Sequence, residues 1–355
     1  MKVYGIIMEI NPFHNGHEYF LKKAREIAGD NILVCIISTN FVQRGELSVL
    51  TKDVKTRLLL SHGVDIVCEL PTVLANQGGE FFALSALNIL ASFNIDTLIF
   101  GSESSDLNKL MISANNLEAT DFKNGVHSNL GILKSNDILG ISYIRACNKL
   151  NLNINFELVK RVSNNYNDTA VESKIASATA IRNNLDNVQA IKEALPADSL
   201  QNIVETNHEL LFDMFKVNLL NCIDNKVNIF LSENGQLLNR LKIGLDQNPN
   251  TLLELLELCK DKNNSQYKYQ RIVINVILLI TADDYLQDEY IRILGFNPRA
   301  SKFIPKQAFT NLADCNNKVA TIEKRSSSLF SLLTANFQYN EFDRKPLIYK
   351  EINGF

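Results

Sequence analysis

Val3-Tyr4-Gly5-Ile6-Ile7-Met8, followed closely by Asn11-Pro12-Phe13-His14-Asn15-Gly16-His17, is the stretch on which the fold turns. An apolar run of strand length gives way to a polar loop. A helical pattern follows over residues 17–28, with Phe20, Leu21, Ala24 and Ile27 on one face. A parallel strand delivers such a loop to the carboxyl edge of its sheet, where open α/β folds bind ligands. Gly16 removes a side chain where phosphate must approach the backbone. The helix start offers free N–H groups and the positive end of its dipole. His14 and His17 can then aim ring N–H donors at an α-phosphate and stabilise charge developing there during nucleotidyl transfer. The chain holds five histidines, so two of them in this spacing and context point to chemistry.

Working outward, Ile32–Ile37, Asp65–Leu70 and Asp96–Phe100 repeat the strand signal, and Phe156–Val162 adds another. Helical patterns over Lys52–Ser61, Glu80–Ser92 and Asn136–Leu150 lie between them. Strand and helix in alternation imply βαβ units and a doubly wound parallel sheet of the Rossmann-like, HUP type. Beyond about residue 190 the texture becomes helical, with no strand-like run of comparable quality. A chain of 355 residues is long for one core, and the division expected is an α/β domain over 1–188 and a mostly α-helical domain over 189–355.

Composition narrows the class. Hydrophobic residues make up 46% and charged residues 21%, the balance of a water-soluble globular protein. Six scattered cysteines with no Cys-x-x-Cys pair suit reduced thiols in the cytoplasm, with no disulfide frame and no metal site. Glu9 interrupts the apolar stretch near the start, and Ile272–Ile280 is too short to span a bilayer, so no membrane association is expected. The net charge of −3 conceals a local excess. Arg292, Arg299, Lys302, Lys306, Lys318, Lys324 and Arg325 face only Asp314 and Glu323 over residues 292–325. That is either a nucleic-acid footprint or a solvated helical face.

Further polar segments fall at predicted strand ends. Ser177-Ala178-Thr179-Ala180-Ile181-Arg182 opens a helix; alone it reads as capping, but beside the histidine motif it reads as a hold on β- and γ-phosphates. Asn40, Gln43 and Arg44, in Asn40-Phe41-Val42-Gln43-Arg44-Gly45-Glu46, form a substrate loop after the second strand. Lys52 and Arg57 just beyond are weaker candidates. Gly101 lets a base or ribose lie against the backbone, Asn136 offers donor and acceptor to an adenine edge, and Arg161 points to the same edge. His62, His127 and His208 have no partner pattern.

Taken in order, Asn11–His17, Asn40–Glu46, Glu80-Phe81-Phe82-Ala83, Gly101-Ser102-Glu103, Ser135–Gly140 and Ala176–Arg182 resemble the bacterial tRNA(Met) cytidine acetate ligase family. These are nucleotidyltransferases that share the HxGH fold with class I tRNA synthetases. The resemblance is dense over residues 1–185 and thinner beyond, where Tyr290–Asn297 matches best. It implies that acetate attacks the α-phosphate of ATP to give acetyl-adenylate. The exocyclic amine of the wobble cytidine in elongator tRNA(Met) then takes the acetyl group, giving N4-acetylcytidine and AMP. Carried over by position, the ATP site comprises Ile7, Met8, Glu9, Ile10, Asn11, Pro12, Phe13, His14, Asn15, Gly16, His17, Glu18, Tyr19 and Phe20, with Gly101, Asn136 and Arg161. Ser177, Thr179 and Arg182 suit the triphosphate tail, His14 and His17 the phosphoryl transition state. Magnesium is expected to travel with ATP. With tRNA as the substrate, the basic stretch of the helical domain is expected to hold the RNA, with Arg292, Arg299, Lys302 and Lys306 as contacts, and no obligate protein partner is implied. Thr39, Leu47 and Gly78-Gly79 depart from the family pattern and are expected to reshape the acetate pocket slightly. The same residues leave two other functions open, a small-molecule adenylyltransferase and a non-catalytic RNA-binding adaptor.

Overall fold

The computed structural model describes residues 1–116, 134–161, 176–233, 235–285, 289–335 and 345–348. His127 and Val162 lie outside them. The strands are β1 Val3–Met8, β2 Ile32–Ser38, β3 Ile66–Leu70, β4 Thr97–Ser102, β5 Asn155–Lys160, β6 Ile293–Phe296 and β7 Leu347–Ile348. They form one sheet in the order β5-β4-β1-β2-β3-β6-β7. The first five run parallel. β2 is buried at every position and apolar on both faces, as a central parallel strand must be. Strand order reverses between β1, which pairs β2 on one side, and β4 on the other. That crevice is the switch point at which doubly wound sheets take ligands.

Helices cover both faces: α1 Asn15–Ala28, α2 Lys52–Ser61, α3 Thr72–Ala75, α4 Gly79–Ala91, α5 Leu107–Asn116, α6 Ser135–Lys149 and α7 Ala178–Arg182. α1 buries Leu21, Ala24 and Ala28 against the sheet. The later helices are α8 Val188–Ile191, α9 Ala197–Gln201, α10 His208–Asp224, α11 Gln236–Leu245, α12 Leu252–Leu258, α13 Gln266–Leu278 and α14 Lys318–Leu333. Their core, around Phe215, Tyr269, Ile272 and Phe330, also takes in Phe41, Leu47 and Val73 from the α/β part. Among the described residues no helix is long and apolar enough to cross a membrane.

The C-terminal half is mostly helical, but it also supplies β6 and β7. β6 pairs antiparallel with β3, and β7 lies parallel to β6. β6 has only four residues and follows Arg292, which hides its strand character in the sequence. Arg292 corrects the expected RNA surface. It is 1% exposed, and its guanidinium meets Glu69 at 2.9 Å and the Thr310 carbonyl at 3.2 Å. Lys52, a weaker candidate for the substrate loop by sequence, is also fully buried, between Glu69 at 3.2 Å and Glu323 at 3.6 Å. Tyr290 donates to Glu69 as well. Glu323, on α14, accepts from the Thr72 backbone N–H at 2.7 Å. Two buried anions and two buried cations thus fasten α14 and β6 to the ends of β2 and β3. Burial alone would raise the Glu69 carboxyl, but Arg292 and Lys52 hold it below the usual carboxylate range.

Candidate active site

β1 ends at Met8, and the chain turns sharply into the histidine loop. Ile10 takes φ +46°, a left-handed conformation that a β-branched residue seldom adopts, while its side chain is fully buried. The turn delivers His14 to the N-cap of α1. There the His14 Nδ1 accepts from the Gly16 N–H at 3.0 Å, and the His17 Nδ1 accepts from the His14 N–H at 3.3 Å. The two rings stack with centroids 3.8 Å apart, 24° from parallel. Because each Nδ1 is an acceptor, the proton of each neutral imidazole belongs on Nε2. Both rings are neutral at pH 7. Burial, with Arg161 and Arg182 nearby, lowers His14 to about 3. Burial, followed by His14, Arg161 and Lys55, lowers His17 well below its ordinary value.

Across the loop, Ser177 caps α7 by accepting from the Ala180 N–H at 3.0 Å. Arg182, at the far end of that short helix, donates to the Asn11 carbonyl at 2.7 Å and pairs with Glu46 at 2.8 Å. Thr179 Oγ1 accepts from both Arg182 and Arg44 at 3.4 Å. The histidine motif and the Ser177–Arg182 motif therefore face one cavity of about 260 Å³ at the carboxyl ends of β1, β4 and β5.

That cavity collects most of the expected residues. Ile7, Met8, Glu9, Ile10, Asn11, His14, Gly16, His17, Tyr19 and Phe20 line it from the first segment, with Gly101, Asn136, Arg161, Ser177, Thr179 and Arg182 from the others. Gln43 and Arg44 line it from the loop after β2. Pro12, Phe13, Asn15 and Glu18 do not: Phe13 is buried beneath the rings, and Asn15 Nδ2 donates to the Glu193 carbonyl at 2.8 Å.

Asn40 is a correction. It is fully buried, and its amide donates to Glu323 at 2.9 Å and Ser326 at 3.0 Å, so it ties the loop to α14 and faces no substrate. Thr39 belongs to the same network, donating to Glu69 at 3.1 Å, and Leu47 bridges back to Phe41. Thr39, Leu47, Gly78 and Gly79 are all absent from the cavity wall, so these departures put no side chain into the pocket. Of the expected RNA contacts besides Arg292, Arg299 grips Asp65 at 2.7 and 2.9 Å, while Lys302 and Lys306 stand exposed.

Several residues matter that sequence reading passed over. Lys55 is fully buried, and its Nζ donates to the carbonyls of Glu9, Ser38 and Thr39, each at 3.1 Å, clamping the ends of β1 and β2. Burial lowers its ammonium to about 7, against the pull of Glu9. Its signal was its place three residues after Lys52, on the helix face shared with Leu58 and Leu59. Asp137 accepts from Ser102 Oγ at 2.5 Å and the Glu103 N–H at 3.1 Å, and Glu103 accepts from Asn136 at 2.5 Å. This exchange sets the start of α6 against the end of β4. Phe82 and Tyr143 complete the apolar wall. Among the described residues no group of three His, Cys, Asp or Glu is arranged to hold a metal ion.

The profile of the HIGH Nucleotidyl Transferase family matches residues 1–345. A tRNA(Met) cytidine acetate ligase of Caldicellulosiruptor bescii is 35% identical over 344 residues, covering 86% of this chain and 85% of that one. The chain belongs to the tRNA(Met) cytidine acetate ligase family. A ligase of that name from Clostridium novyi is 30% identical over 99% of this chain and 100% of its own. The crystal structure of apo Thermotoga maritima TmcAL superposes with a TM-score of 0.83 at 25% identity, over 98% of this chain and 99% of that one. A second crystal form of that protein, bound with alpha-thio ATP, superposes with a TM-score of 0.81 at 24% identity, over the same shares.

Proposed function

We propose that this chain joins acetate to ATP, giving acetyl-adenylate and pyrophosphate. It then transfers the acetyl group to the exocyclic amine of the wobble cytidine in elongator tRNA(Met). The observation that carries this reading is the convergence of His14, His17 and Arg182 on one cavity at the switch point of the sheet. Neutral imidazoles with Nε2–H donors suit the α-phosphate, because they supply hydrogen bonds as charge develops. Thr179, Ser177 and Arg182 suit the β- and γ-phosphates. Gly101, Asn136 and Arg161 suit the nucleoside end. Gln43 and Arg44, on the β2 side, are left for the acyl acceptor. Magnesium accompanies the nucleotide. The helical part, residues 189–355, holds the RNA with Lys302 and Lys306 at its surface. Work on tRNA sets the protein in the cytoplasm, and the reaction requires no protein partner.

The test is nucleoside analysis of bulk tRNA incubated with purified protein, ATP and acetate. N4-acetylcytidine formed only with all components, together with AMP, is the expected outcome. Acetate-independent adenylation of a small metabolite would instead assign the site to a metabolite adenylyltransferase. No turnover of ATP would leave an RNA-binding adaptor.

A further inference from the structure

We infer that Glu9 is the base that takes the proton from the attacking cytidine amine in the acyl-transfer step, an assignment that rests on the proposed reaction. A carboxylate repels the oxygens of a triphosphate, yet the fold fixes one in the cavity wall. Its Oε1 accepts from the Gln43 backbone N–H at 2.6 Å and lies 3.5 Å from Ser38 Oγ. Both partners stand on the β2 side, away from the β1/β4 crevice and beside the loop left for the acyl acceptor. Its Oε2 has no hydrogen-bond partner among the described residues, and the residue is only partly covered.

Elimination leads to the same group. Neither His14 nor His17 can act as a base, since each Nδ1 lone pair is engaged by a backbone N–H and each Nε2 bears the proton. Glu46 is paired with Arg182 at 2.8 Å. Tyr143 is a buried phenol whose pKa is pushed well above the ordinary range. Glu9 remains. Burial raises its carboxyl, and the Gln43 N–H, Arg44 and Lys55 pull it back, with Glu46 opposing them. A carboxylate raised in this way is a stronger base than a solvated one.

The amine nitrogen forms a bond to the acetyl carbon as the carbonyl π pair moves to oxygen. One N–H proton passes to Glu9 Oε2. The oxygen pair then re-forms the carbonyl and breaks the bond to AMP, which leaves with both electrons of that bond. Solvent recovers the proton from Glu9.

Glu9→Gln keeps the acceptor for Gln43 and removes the base, so it separates the two half-reactions. Acetate-dependent ATP–pyrophosphate exchange, read on the same variant, should fall at least about tenfold less than transfer does. Single-turnover transfer from acetyl-adenylate to tRNA should fall by roughly 10²- to 10⁴-fold. The wild-type transfer rate should rise with pH through one ionisation that the variant lacks. An equal fall in exchange would mean that Glu9 serves adenylation or a metal on ATP, and unimpaired transfer would mean it is not the base; either overturns the assignment. A wild-type protein that exchanges pyrophosphate but acetylates no cytidine overturns the underlying reaction, and the assignment with it.

Discussion

Arg182 donates to the carbonyl oxygen of Asn11 at 2.7 Å, closing a gap of 171 residues in the chain. The guanidinium also reaches Glu46 and Thr179, so its fork is oriented before any phosphate binds. Arg182→Lys keeps the charge but cannot serve these partners together. Acetate-dependent ATP–pyrophosphate exchange is expected to fall at least about 30-fold. The melting temperature should change by only a few degrees.

His14 gives the protein an acid limb. Its folded pKa of about 3 lies below the ordinary 6.5, so as pH falls below 6.5 the unfolded chain takes a proton that the native chain refuses. Stability contributed at neutral pH is therefore lost progressively between pH 6.5 and about 3. Glu69, whose pKa is lowered from 4.5, adds its loss only at more acid pH. His14→Asn keeps an N-cap acceptor and removes the titration. Urea midpoints at pH 7.5 and 5 should differ less in the variant than in wild type; equal differences would refute the assignment.

Gly45 is required twice over. Its φ is +76°, and a Cβ there would come within 2.5 Å of the Arg271 backbone nitrogen on α13. Gly45→Ala must both strain the turn and push the loop off the helix. Calorimetry should show a loss of at least ~2 kcal/mol, accompanied by weaker transfer to tRNA, since Gln43 and Arg44 sit on the same loop.

Glu69 is surrounded by Lys52, Arg292 and Tyr290 with no exposure to water. Glu69→Gln leaves two buried cations short of their anion and is expected to cost about 3–5 kcal/mol in denaturant titration. Arg292→Ala should be comparably damaging to folding, whereas an RNA contact would have cost only affinity.

Lys302 and Lys306 are exposed cations in the expected RNA-facing stretch. Replacing both with Ala should weaken tRNA binding and reduce the slope of log affinity against log salt by about 2. Pyrophosphate exchange without tRNA should be unchanged. An unaltered salt slope would move the RNA surface elsewhere.

The α/β sheet and the cavity at its switch point were legible because their signals are local. An apolar strand, a glycine and two histidines lie within fifteen residues, and periodicity marks each βαβ unit. Asn40, Lys52 and Arg292 were misread because their partners lie far along the chain. Asn40 meets Glu323 at a separation of 283 residues, and Arg292 meets Glu69 at 223. Polar residues that satisfy one another in the interior look, one at a time, like surface or substrate contacts. β6 was missed for a related reason: a four-residue edge strand has little periodicity of its own, and β3 completes it.

The imidazoles that start α1 are the ones proposed to meet the nucleotide, which ties helix initiation to reactivity here. The backbone amides of the first turn dictate the tautomer of both rings, so each neutral ring carries its proton on Nε2. An ordinary serine or aspartate cap would begin the helix equally well and leave the cavity without two ring donors.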